Sequence, residues 1–90
     1  MIPQLALVIW SDHFCSDQPI TRESAERLQP LKRMAVGWVL ADTDAGITLA
    51  MDIAEEAPDE GDPYLFLGRE MIREVIPLRT GPTDFYADDD

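Results

Sequence analysis

Ninety residues with 46% apolar side chains, among them two tryptophans, two tyrosines and three phenylalanines, suffice for one small packed core and are too apolar for a chain disordered throughout. Eighteen acidic residues against seven basic ones leave a net charge of −11, which repels nucleic acid and anionic membranes and attracts basic surfaces. The single cysteine, Cys15, excludes an intramolecular disulfide and the stapled secreted frameworks, so a reducing cytoplasm is the expected compartment.

Leu5–Trp10 is a continuous β-prone run that predicts a first strand, buried on both faces or closing a barrel. No basic residue precedes it and it is too short for a signal h-region or a membrane span, so the mature protein is expected to start at or near Met1. Asp12–Pro19 is polar and turn-forming. Thr21 is placed to cap a helix over Arg22–Leu28, with Ile20 as an apolar staple and Pro30 as the stop. Two turns are marginal alone, so Ala25 and Leu28 are expected to lean on a sheet.

Period-two alternation is clearest in the middle of the chain. Met34, Val36, Trp38 and Leu40 share one face of a strand, as do Ile47, Leu49, Met51 and Ile53 of the next, and these bulky faces are expected to be buried in one core. The polar link Asp42–Gly46, whose Gly46 can take positive φ, makes the pair an antiparallel hairpin. Gly37 predicts a bend or a close backbone crossing. Ala54–Pro63, with five acids, two prolines and a glycine, reads as an exposed loop. Tyr64–Leu67 is a short strand, Gly68–Met71 a turn or single 3-10 turn, and Ile72–Leu78 a final strand that Pro77 places at an edge or end. Residues 79–90 form an acidic tail without a core pattern, expected to be disordered, in which Phe85 and Tyr86 can dock a partner.

This order predicts a mostly β fold over residues 1–78: a small five-stranded antiparallel barrel of SH3-like or Sm-like type with one short helix, closure removing the sheet's edges. An open α+β sheet with the helix covering one face is the alternative.

Catalytic residue types gather only at Asp12, His13, Cys15 and Asp17. A Cys–His pair can serve as nucleophile and base, and the four together can ligate zinc. They share one loop, however, with no orienting acid at a supported position and no second ligand pair. No phosphate-binding glycine loop, paired catalytic carboxylates or Ser-His-Asp order is present, so no enzyme activity, cofactor or metal is expected. Trp38 shares its face with Met34, Val36 and Leu40 and reads as core. Trp10 ends a strand beside a polar loop and suits either the core or a stacking platform. Arg69 and Arg73, with Lys32 and Arg33, hold a phosphate if they converge and otherwise pair with the abundant acids. The candidate binding residues are Trp10, Asp42, Asp44, Glu55, Glu56, Asp59, Glu60, Asp62, Arg69 and Arg73.

Four segments also follow a joint pattern: Val8-Ile9-Trp10-Ser11-Asp12 (V-x-W-x-D), Val36-Gly37-Trp38 (V-G-W), Ile47-Thr48-Leu49-Ala50 (I-x-L-A) and Phe66–Leu78, where Ile72, Val75 and Leu78 stand for a final I-x-x-I-x-x-L run. Over residues 5–78 the chain resembles a group of short proteins encoded in tailed-phage and prophage genomes. Where that group has Pro-Lys-Gly before its last strand, this chain has Leu67-Gly68-Arg69-Glu70. The resemblance implies a small β barrel of phage origin that acts by binding, with a counter-defence inhibitor of a host function as the expected role. Such an inhibitor would occlude a basic surface of a host or phage protein with the acidic Asp42–Asp62 region and the tail. Two alternatives are sequestration of a nucleotide immune signal between subunits of a homo-oligomer, using Trp10, Arg69 or Arg73, and a structural or assembly part of the virion. Direct nucleic-acid binding and membrane attachment are not expected.

Overall fold

The computed structural model describes residues 2–79. In chain order it contains β1 (Leu5–Asp12), α1 (Arg22–Ala25), β2 (Leu31–Thr43), β3 (Gly46–Ala50), β4 (Ile53–Ala54), β5 (Ala57–Gly61), β6 (Tyr64–Gly68), a single 3-10 turn at Arg69–Met71, and β7 (Ile72–Leu78). The fold is mostly β. Five strands form one antiparallel sheet in the order β6-β3-β2-β1-β7, and β4 and β5 pair separately as a two-stranded unit. The expected acidic tail falls almost entirely outside the described residues.

The sheet is open, since β6 and β7 lie at its two edges and no ladder joins them. The backbone closure expected of a barrel is therefore not made. The sheet nonetheless curls. Leu67 from edge strand β6 and Ile72 from edge strand β7 belong to one apolar cluster with Val8, Ile47 and Leu49, and residues from opposite margins of a five-stranded sheet touch a common core only if the sheet bends around it. Pro77 sits in edge strand β7, where its missing N–H leaves no central ladder bond unmade.

The curl decides which side of β2 faces inward. Val8 lies opposite Ala35 and Val39 opposite Leu49, so the core side of β2 is Ala35, Gly37 and Val39. Met34 and Val36 are 73% and 49% exposed, and Trp38 and Leu40 are only half-buried. The expectation that the bulky face of β2 is buried is corrected. The concave side of a strongly bent sheet has room for small side chains only where strands crowd together. A Cβ on Gly37 would stand 2.9 Å from the Ala50 carbonyl oxygen and 3.0 Å from Leu49 Cβ, which is the close crossing its position in the sequence predicts.

The β2–β3 hairpin forms with a tighter link than Asp42–Gly46: Thr43 pairs with Gly46 across Asp44 and Ala45, and Gly46 has φ +154°. β3 buries Ile47 and Leu49 as expected but ends at Ala50, leaving Met51 45% exposed. β1 buries the apolar residues of one face, Ala6 and Val8, while Leu5, Leu7 and Ile9 on the other are half-buried, so its apolar run is not buried on both. α1 is capped by Thr21, whose Oγ1 accepts from the Ser24 N–H at 3.2 Å, yet it runs only to Ala25 and none of its residues is buried. Ile20 and Leu28, 56% and 55% exposed, neither staple the helix nor lean on the sheet.

Candidate functional site

Ala54–Pro63 is not a loop. β3 and β6 pair from Gly46 opposite Gly68 to Ala50 opposite Tyr64, and the ladder continues past them. Met51 N–H donates to the Pro63 carbonyl at 2.8 Å, Asp62 N–H donates to the Asp52 carbonyl at 3.0 Å, and Ile53 then stands opposite Gly61. β3-β4 and β5-β6 are thus the two arms of one long hairpin, bent at Met51–Asp52. The bend lays Gly61 against Ala50 so closely that a Cβ on Gly61 would fall 2.2 Å from that of Ala50. The far end of this hairpin carries Asp52, Glu55, Glu56, Asp59, Glu60 and Asp62, every one exposed.

No lysine or arginine occurs from Met34 to Gly68, so the hairpin has no local countercharge. The ion pairs among the described residues join Arg27 to Glu23, Arg33 to Asp12 and Arg69 to Asp42. None includes a hairpin acid. Asp42 and Asp44 lie elsewhere, at the β2–β3 turn beyond the opposite end of β3, so the acidic candidates divide into two groups. The larger is the hairpin group.

Three of the basic candidates, Arg33, Arg69 and Arg73, are already engaged. Arg69 donates through its guanidinium to the Asp42 carboxylate and the Thr43 carbonyl, and its backbone N–H donates to the Ala45 carbonyl at 3.0 Å. These bonds tie the 3-10 turn to the β2–β3 turn. Arg73 Nε donates to Ser11 Oγ at 2.9 Å and one of its terminal nitrogens to the Glu70 carbonyl at 3.1 Å, which satisfies the hydroxyl of the buried Ser11. Arg33 Nε binds Asp12 at 2.8 Å. Lys32 and Arg33 pair with Ser11 and Trp10 in the β1–β2 register, so three cations border the end of β1 while Arg69 is held at the β2–β3 turn. Trp10 packs against the core cluster, and its Nε1 is buried without an acceptor among the described residues.

His13, Cys15 and Asp17 are exposed, and no grouping of three His, Cys, Asp or Glu side chains able to hold a metal occurs among the described residues. His13 and Phe14 face Leu28, Gln29 and Pro30 across a shallow open groove of about 270 Å³. Sequence reasoning missed the apolar outer side of the sheet, because alternation identifies two faces of a strand without saying which is concave. Ala35 and Gly37 between bulkier neighbours were the available signal.

No helix among the described residues is long and apolar enough to cross a membrane. Comparison of the chain with protein-family models, with curated proteins and with solved structures finds no match.

Proposed function

We propose that the chain is a non-catalytic binding protein that engages a basic surface of a protein partner through the bent β4–β5 hairpin. One observation carries the reading: six exposed carboxylates stand on a single hairpin, and none is paired with a cation in the ion pairs among the described residues. Like charges held together on an ordered element repel one another, and a complementary surface relieves that repulsion while steering encounter. The strand order, the 3-10 turn before the last strand and the curled core support an SH3-like or Sm-like arrangement of the sheet. The likeness to tailed-phage proteins supports a counter-defence inhibitor in the host cytoplasm as the concrete form of this binding.

Affinity capture from host lysate tests it. A partner held by the hairpin is expected to elute as salt rises toward about 0.5 M, where the screening length falls to a few ångströms. The same partner is expected to be lost when Glu55→Gln, Glu56→Gln, Asp59→Asn and Glu60→Gln are combined, because these side chains are exposed and the fold does not need their charge. A partner retained in full by that variant, or through 0.5 M salt, overturns the reading.

A further inference from the structure

Residues directly opposed in an antiparallel pair lie on the same side of the sheet, so the β1 registers define its outer face. Leu5, Leu7 and Ile9 of β1 stand opposite Trp38, Val36 and Met34 of β2. On the other side of β1 the same rows continue into Leu78, Ile76 and Glu74 of β7. Three rows across three strands therefore present an apolar surface directed away from the core, with Glu74 its one charged side chain. Met34 is 73% and Val36 49% exposed, and the other apolar members are half-buried.

We propose that this face is where two copies of the chain meet, outer sheet against outer sheet, in a symmetric dimer. With Met34 and Val36 largely exposed and six further apolar side chains half-buried, the apolar surface left in water is on the order of 500 Å² per copy, or about 1,000 Å² for a pair, which is near the lower size limit of specific interfaces. Charge selects the occupant. With a net charge of −11, the chain draws a basic partner to its acidic hairpin and not to a face holding one carboxylate. A second copy matches apolar rows to apolar rows at the usual sheet-packing distance of about 10 Å, with Glu74 at the corner of the face, in its last row on the edge strand. The residues after Arg79 suit the face less well, since four of those eleven are aspartates whose carboxylates would lose water against it. The inference is independent of the hairpin's role and has the opposite salt dependence.

Analytical ultracentrifugation of the full chain tests it. A monomer–dimer equilibrium is expected whose dimer fraction rises with salt, because screening weakens repulsion between two chains of like charge. Met34→Lys combined with Val36→Lys, at exposed positions that the monomer's core does not use, is expected to raise the dimer Kd at least about tenfold while leaving the circular dichroism spectrum unchanged. A chain that stays monomeric at about 200 µM in both low and high salt overturns the proposal, as does a dimer that the double variant leaves intact. If a chain ending at Arg79 dimerises while the full chain does not, the face belongs to the tail, and the proposal is overturned in that way too.

Discussion

Ile47 and Met34 are both bulky apolar residues on the heavier face of an alternating strand, and the alternation gives no reason to rank them. In the fold Ile47 is fully buried, whereas Met34 is 73% exposed. Ile47→Ala is expected to cost about 2–4 kcal/mol through lost transfer energy and the cavity left behind. Met34→Ala, read on protein dilute enough to be monomeric, is expected to stay within about 0.5 kcal/mol. Urea denaturation of the two variants checks the pair, and comparable losses would mean that the inward and outward sides of the sheet have been exchanged. The difference is invisible in the sequence because it depends on curvature, a property of five strands together. Gly37 was legible because it is an unfavourable strand residue whose retention needs a reason, and a Cβ there would reach 2.9 Å from the Ala50 carbonyl oxygen. Among the candidate site residues, the arginines were legible as polar anchors but not by partner. Arg69 reaches Asp42 across 27 positions and Arg73 reaches Ser11 across 62, separations that no local pattern encodes.

The elements that were read best are those whose signal is local. Thr21 caps α1 because its hydroxyl accepts from the Ser24 N–H, and Ile72–Leu78 forms β7 at a sheet edge as Pro77 requires. The length and docking of α1 were not legible, since a helix of two turns persists only when neighbours bury it, and Ala25 and Leu28 are both exposed. The acidic hairpin was missed for a related reason. Acids, Pro58 and Gly61 disfavour strand formation intrinsically, but the β3–β6 ladder already holds its two ends in register, and pairing then propagates into residues that would not initiate it. The position of the hairpin depends on Gly61, which lies against Ala50 where a Cβ would fall 2.2 Å from its neighbour. Gly61→Val is therefore expected to lift the hairpin off the sheet at a cost of about 1–3 kcal/mol. Hydrogen exchange at the Met51 and Asp62 amides, which donate across the bend, would rise well before exchange in β1. If exchange at the two sites stays unchanged, the bend is not held by this contact.

At the scale of the whole molecule, charge works against the fold. Folding gathers a chain of net charge −11 around a small core and sets the hairpin carboxylates on one element with no ion pair to them among the described residues, while the ion pairs at Arg27, Arg33 and Arg69 are exposed and so contribute little. Added salt weakens both effects, and the repulsion, spread over many more charges, is the larger. The melting temperature of dilute protein is therefore expected to rise as salt increases from about 0.02 to 0.2 M, over which the screening length shrinks from about 20 Å to under 10 Å. For a domain of this size each 1 kcal/mol gained moves the midpoint by about 4–8 °C. The variant carrying Glu55→Gln, Glu56→Gln, Asp59→Asn and Glu60→Gln should melt higher than the parent in low salt, and the gap should close as salt is added. A parent chain that melts lower in salt would show that its few ion pairs outweigh its repulsion, and the hairpin would then hold no unrelieved charge for a basic partner to neutralise.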